Sequence, residues 1–253
     1  MQGQFFWYDV MTTDTKAAAK FYHDVIGWDL QEQGPDYAAF TLDGRGVAGL
    51  MPVPADGAKI GMRPAWLGYI MVDDVDAMAK RIVAEGGKLH KGPIEVPGII
   101  IFAVVSDPQG AGFLIAKPLP TKAPPPLPAG KQGTFGWHEL YALDWTSVFP
   151  FYEKLFGWTK GDAHDMGPMG VYQLCKTGGD APSVGMITKP KEIPVPHWSY
   201  YINIEGSMYA ALERVTAAGG KPVMGPHQVP TGQWILQAVD PQGAHFALLG
   251  PEK

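Results

Sequence analysis

The feature that most constrains this chain is that it carries the same pattern twice. Trp7, Asp14, Phe21, Tyr22, Gly27 and Trp28 recur about 130 residues later as Trp137, Asp144, Phe151, Tyr152, Gly157 and Trp158. The end of each half repeats as well. Gly86-Gly87-Lys88 returns as Gly219-Gly220-Lys221, Gly92-Pro93 as Gly225-Pro226, and the Asp-Pro-Gln-Gly-Ala run at 107–111 as that at 240–244. Agreement in order, spacing and residue type at both ends of a long period is the signature of tandem duplication. Any fold assigned to one half must therefore also fit the other.

The duplication divides the chain into residues 1–118, a proline-rich linker over 119–133, and residues 134–253. Prolines at 118, 120, 124, 125, 126 and 128 fix φ and remove amide donors, which predicts an extended, semi-rigid connector rather than a strand or helix. Within the first half, Phe5–Met11 reads as a strand. Asp14 or Thr15 then caps a helix that Gly27 ends. Strands are predicted over Tyr37–Leu42, Gly46–Met51 and Trp66–Val72, followed by a helix from Val75 to Ala84 that stops at Gly86-Gly87. Three more strands follow, the last over Gly112–Ala116. The order is one strand, one helix and three strands, four times in the whole chain. Pro150 falls inside the third helix and predicts a kink or a late start there.

Bulk properties narrow the function classes. A net charge of −5 without a basic run argues against nucleic acid or an anionic membrane as partner. The single cysteine, Cys175, rules out an internal disulfide and suits a reducing compartment. The N-terminal stretch enters the first repeat with no signal-like segment, and no apolar run has the length of a membrane span. The expectation is a soluble cytoplasmic protein, monomer or homodimer, with a small-molecule ligand.

With Phe21-Tyr22 and Gly27-Trp28 after the first strand, Val-Asp-Asp-Val-Asp-Ala opening a helix at 72–77, and Asp-Pro-Gln-Gly-Ala before the last strand, the chain resembles the vicinal oxygen chelate superfamily. That group includes glyoxalases, bleomycin-resistance proteins and extradiol dioxygenases, and the chain is most similar to its tandem-duplicated glyoxalase-like members. The resemblance implies an α+β fold of two tandem domains, each a pair of βαβββ units forming a cupped sheet with helices on its outer face and chemistry in the cup. It also implies a divalent metal, but the ligand positions it assigns fall on Trp7 and Trp137, on Leu67 and Ser199, on Leu114 and Ala247, and near Gly49 or Leu50 and Gly185 or Met186. These are not metal-binding side chains, Ser199 being at best a poor ligand, so no cofactor is predicted. One alternative is a set displaced by two residues, Glu139, His197 and His245, which would hold one Fe or Zn in the second domain.

Strand alternation puts other side chains on the cup-facing side. Trp7, Met11, Tyr69 and Met71 line one cup, and Trp137, Tyr141, Tyr201 and Asn203 the other. Asp9 and Glu139 stand beside the indoles as candidate anchors or general bases. The leading expectation is a metal-independent small-molecule-binding protein. The competing one is a glyoxalase-type lyase or isomerase, or an oxygenase or hydroxylase, acting on a small carbonyl or aromatic compound. Phe21, Tyr22, Phe151 and Tyr152 read as core. The Asp-Pro-Gln-Gly-Ala runs read as turns, and Cys175 as inert.

Overall fold

The computed structural model describes residues 2–59, 61–120 and 127–253. Residues 121–126 of the proline-rich linker lie outside the described residues. The first half runs β1 (Phe5–Thr12), α1 (Thr15–Ile26), β2 (Asp29–Glu32), β3 (Ala38–Leu42), β4 (Arg45–Pro52), a short α2 (Ala55–Lys59), β5 (Ala65–Met71), α3 (Val75–Ala84), β6 (Lys88–Val96), β7 (Ile100–Ser106) and β8 (Gly112–Pro118). The second runs β9 (Phe135–Ala142), α4 (Trp145–Phe156), β10 (Thr159–Asp165), β11 (Val171–Lys176), β12 (Val184–Thr188), β13 (His197–Asn203), α5 (Met208–Ala217), β14 (Lys221–Gln228), β15 (Trp234–Val239) and β16 (His245–Gly250).

Each half forms one eight-stranded mixed sheet, cupped and not closed into a barrel. The strand order is β2-β3-β4-β1-β5-β8-β7-β6 in one and β10-β11-β12-β9-β13-β16-β15-β14 in the other. Helices return the chain between parallel neighbours, so β1 pairs parallel with β4 and β5 with β8, as β9 does with β12 and β13 with β16. The predicted βαβββ order is therefore present four times.

The caps act where the sequence places them. Asp14 accepts from the Ala17 amide at 3.0 Å and Asp144 from the Thr146 amide at 2.9 Å, each satisfying an otherwise orphaned donor of a first turn. Gly27 and Gly157 close the same helices in the left-handed region, at φ 89° and 70°, which glycine adopts without Cβ strain. Of the two outcomes expected at Pro150, a kink or a late start, the late start does not occur. Helix α4 begins at Trp145, the counterpart of Thr15, and carries Pro150 inside it. The structure adds β2 and α2, which have no clear periodic signal. All four residues of β2 are exposed, so no apolar alternation marks it.

By packing, the chain divides into two compact units. One comprises Met1–Trp7, Leu67–Ala123 and His138–Ser199; the other comprises Tyr8–Trp66, Pro124–Trp137 and Tyr200–Lys253. Each unit thus draws on both sequence halves. In the second unit the Tyr22 hydroxyl donates to Asp240 Oδ2 at 3.1 Å and accepts from Trp66 Nε1 at 2.7 Å. Asp240 Oδ1 in turn accepts from the Gln242 and Ala244 amides at 3.0 and 2.9 Å. The first unit holds the same arrangement. Tyr152 donates to Asp107 Oδ2 at 3.0 Å, Trp198 Nε1 donates to Tyr152 at 3.2 Å, and Asp107 Oδ1 takes the Gln109 and Ala111 amides. The Trp28 indole donates to the Gly133 carbonyl and the Trp158 indole to that of Gly3. Both repeated motifs are therefore structural, as the sequence suggested.

Asp107 and Asp240 are almost fully buried, and desolvation raises both carboxyl groups above their ordinary value despite the donors around them. The folded state then binds these protons more tightly than the unfolded chain, so their contribution to stability grows as pH falls towards the unfolded carboxylate value and is lost as pH rises through the raised one. Asp107→Asn combined with Asp240→Asn is expected to make stability fall more steeply with acid than in the wild type, in urea titrations between pH 7 and about 4. Tyr22→Phe or Tyr152→Phe is expected to cost about 1–3 kcal/mol by the same measurement, since each leaves a buried carboxylate one donor short.

Candidate functional site

The face of β1 bearing Trp7, Asp9 and Met11 lies opposite the helix-facing side that carries Tyr8 and Val10. Asp9 is 4 % exposed, and its Oδ1 accepts from the Tyr37 hydroxyl at 3.0 Å. Its neighbour in the parallel β1–β4 pairing is Gly49. A Cβ at Gly49 would lie 2.1 Å from both Asp9 Oδ1 and the Tyr37 hydroxyl. Glycine is needed here because the tyrosine and carboxylate occupy the space a side chain would take. The second half repeats the device. Glu139 pairs with Gly185 across β9 and β12, and a Cβ at Gly185 would lie 2.0 Å from the Tyr172 hydroxyl.

The remaining cup-facing strands supply apolar walls. In the first unit Trp7, Phe6 and Leu67 pack against Tyr69, Leu114 and Ala116, with Phe102 and Val104 behind. In the second unit Trp137 packs against Tyr201, Ile235, Ala247 and Leu249. This second wall contains a buried amide. Gln237, 4 % exposed, donates from Nε2 to the Tyr201 hydroxyl at 2.6 Å. Its counterpart in the first wall is Val104, so the two walls differ in polarity at this position. Tyr141 stacks on His197 with ring centres 5.2 Å apart. Asn203 donates to Thr134 Oγ1 at 3.1 Å and fills the space over Gly136, so this amide braces the start of β9. Met11 is buried and Met71 half-buried.

Tyr37, Tyr172 and Gln237 escape sequence reasoning. A tyrosine at the start of a strand is commonplace, and its meaning emerges only with the glycine it covers. Gln237 sits among apolar neighbours in Trp-Ile-Leu-Gln-Ala-Val, and that interruption is the one signal available.

The side chains do not fit a divalent metal. Among the described residues no three of His, Cys, Asp or Glu approach closely enough to hold one, and the alternative Fe or Zn set of Glu139, His197 and His245 is not formed. Parity places the three on one face, but His197 leans on Tyr141 and its Nδ1 lies 3.2 Å from the Val195 carbonyl. His245 opens β16 opposite Val239. Burial pulls the His197 imidazole below its ordinary value, and the Lys189 charge adds to this. At the glyoxalase-type carboxylate position, the Gly49 and Gly185 sites are filled by phenol oxygens. Cys175 is buried and pushed up to about 12, which suppresses the reactive thiolate. No helix among the described residues is long and apolar enough to cross a membrane.

The family model of the Glyoxalase/Bleomycin resistance protein/Dioxygenase superfamily matches residues 4–115. The chain is 32 % identical over 256 residues to the putative glyoxylase CFP32 of Mycobacterium tuberculosis, covering 99 % of this chain and 95 % of that protein. It is 28 % identical to the anthracycline biosynthesis protein DnrV of Streptomyces peucetius, covering 96 % and 91 %. Among solved structures, the Mn(II)-bound glyoxalase from Novosphingobium aromaticivorans superposes with a TM-score of 0.70 at 17 % identity, over 100 % of this chain and 83 % of that one, a likeness of fold.

Gly49→Ala is expected to displace Tyr37 from Asp9 and to cost about 1–3 kcal/mol in chemical denaturation. Adding Tyr37→Ala should restore part of that loss, because it empties the space the new methyl needs. An unchanged denaturation midpoint in Gly49→Ala would contradict the filled-space geometry.

Proposed function

Because the chain belongs to the Glyoxalase/Bleomycin resistance protein/Dioxygenase superfamily, we propose that it is a metal-independent small-molecule-binding protein with an aromatic, acid-bearing face in each half. The observation that carries this reading is the Asp9–Tyr37 pair seated over Gly49. A carboxylate held by a phenol donor is oriented and kept as an acceptor, and beside an indole it makes the mix of apolar wall and placed polar group that small-molecule sites use. Trp7, Met11, Tyr69 and Met71 serve as ligand contacts in the first half, and Trp137, Tyr141, Tyr201 and Asn203 in the second. Asp9 and Glu139 are the anchors. The net charge of −5 supports a small molecule over nucleic acid as partner, and on this reading the protein works in the cytoplasm as a monomer or homodimer.

The second reading is catalytic. The names of the relatives, a putative glyoxylase and an anthracycline biosynthesis protein, favour a lyase or isomerase, or an oxygenase or hydroxylase, acting on a small carbonyl or aromatic compound. Asp9 or Glu139 would then take a proton from the substrate, a role worth roughly 10²–10⁴-fold in rate.

A fluorescence titration with aromatic and 1,2-dicarbonyl compounds tests the first reading, with quenching lost in Trp7→Phe or Trp137→Phe. Asp9→Asn and Glu139→Gln separate the two readings. Weakened binding at unchanged stability supports the anchor role, whereas retained binding with lost turnover supports the general base. If both substitutions lower stability by about 1–3 kcal/mol and leave ligand response unchanged, the carboxylates are structural and the proposal fails. Metal analysis of purified protein should find no stoichiometric transition metal. About one iron or zinc per chain, lost in His245→Ala, would overturn the metal-independent reading.

A further inference from the structure

A separate cavity of about 190 Å³ lies in the first compact unit, lined by Gln4, Phe5, His138, Thr177, Ala181 and Ser183 among others. His138 alternates with Glu139 along β9, so it lies on the opposite face of that strand from the acid. The internal repeat shows what creates it. In the first half β3 and β4 are joined through Asp43 and Gly44 alone, whereas residues 177–183 join β11 to β12. The counterpart of His138 is Tyr8, whose ring lies face to face with Phe135 at 3.6 Å; the His138 ring stacks on Phe5 at 4.4 Å.

The lining is polar but uncharged. His138 Nδ1 lies 2.9 Å from the Ser183 carbonyl oxygen. A carbonyl can only accept, so Nδ1 carries the hydrogen. Burial keeps the imidazole neutral, with its pKa pulled down to about 4. The Thr177 and Ser183 hydroxyls share one hydrogen bond of 2.8 Å, which leaves donor and acceptor capacity on the pair. Gln4 reaches the same loop, its Nε2 standing 3.7 Å from where a Cβ on Gly178 would lie. Its side-chain amide has no hydrogen-bond partner among the described residues. A half-buried amide offers both an N–H donor and a carbonyl acceptor, the complement of another primary amide.

We propose that this cavity binds a small, planar, uncharged carboxamide, paired with the Gln4 amide, hydrogen-bonded to the Thr177–Ser183 hydroxyls and bounded by the Phe5–His138 stack. Among the described residues no charged side chain lines the cavity, which disfavours carboxylates and ammonium ions, whose desolvation would go uncompensated. A tertiary amide lacks the N–H that the Gln4 carbonyl needs.

Benzamide, N,N-dimethylbenzamide and benzoate share size and ring while differing in those two properties. Titrated into the full chain, benzamide is expected to shift the His138 imidazole resonances in NMR spectra, and the other two are not. Gln4→Leu should weaken benzamide binding by about fivefold or more, the effect of losing neutral hydrogen bonds. Ala181→Leu, an exposed position whose larger side chain would enter the cavity, should abolish it without changing the melting temperature. His138 resonances unmoved by benzamide at about 10 mM, beyond the range of a useful fragment affinity, would overturn the proposal. Equal responses to all three compounds, or unaltered affinity in Gln4→Leu, would do the same.

Discussion

The buried Tyr–Asp hydrogen bond is the interaction on which each compact unit depends. Tyr22 lies on the first helix of the first half, and Asp240 in the last turn of the second. Tyr152 and Asp107 reverse those origins. Burying a carboxylate is costly unless its oxygens are satisfied. Here one oxygen holds two backbone amides of its own turn, and the other takes a phenol whose oxygen is itself fixed by an indole N–H. The Trp66–Tyr22–Asp240 and Trp198–Tyr152–Asp107 chains bring a strand, a helix and a turn to one point. Aromatic packing then closes around it, with Phe246 edge-on to both Phe21 and Tyr22 and Trp158 stacked on Tyr152. Charge-assisted bonds of this kind are directional, so they fix where the helix seats as well as how firmly.

The acid-bearing face rests on a second trade between side chain and backbone. A residue with a Cβ at position 49 or 185 would exclude the tyrosine hydroxyl that approaches there. Glycine gives up side-chain packing in the strand, and a tyrosine from the neighbouring segment fills the space instead. The first-half carboxylate thereby gains a fixed hydrogen-bond donor in place of a metal. A metal-binding cup needs three or more ligands converging at about 2.2 Å on one point. This arrangement needs only one donor per acid, which tolerates Trp, Leu and Ala at the remaining positions.

Most of the architecture was legible in the sequence because the repeat doubles every signal. Asp14 and Asp144 as caps, Gly27 and Gly157 as stops, and the span Val75–Ala84 can each be read in one half and checked in the other. What escaped lacked periodicity or partners in sequence. The exposed β2 has no buried face to alternate. Pro150 looks like a helix breaker when read alone, yet the cap at Asp144 and the apolar face of α4 hold the full helix around it. Among the proposed site residues, Trp7 and Asp9, and Trp137 and Glu139, could be placed on one strand face from alternation. Tyr37 and Tyr172 could not, because their role is defined by a glycine on another strand. The set Glu139, His197 and His245 shows the limit of parity: sharing a face does not make three side chains converge.

A duplicated chain also carries its own control. Where the halves agree, as in the Tyr–Asp bonds and the glycines beneath Tyr37 and Tyr172, the shared demand is folding or the common geometry of the cup. Where they part, packing alone does not explain the choice. Val104 and Gln237 occupy equivalent places behind Tyr69 and Tyr201, and an apolar wall has no packing need for an amide there. A buried Gln brings a desolvation cost that a Val does not. Its bond to Tyr201 offsets that cost and fixes the direction of the phenol oxygen. The second half likewise replaces Met11 by Tyr141 and Ala65 by His197, and these two rings stack. Each exchange adds polar atoms to the same half, so the two halves present different chemistry on one scaffold.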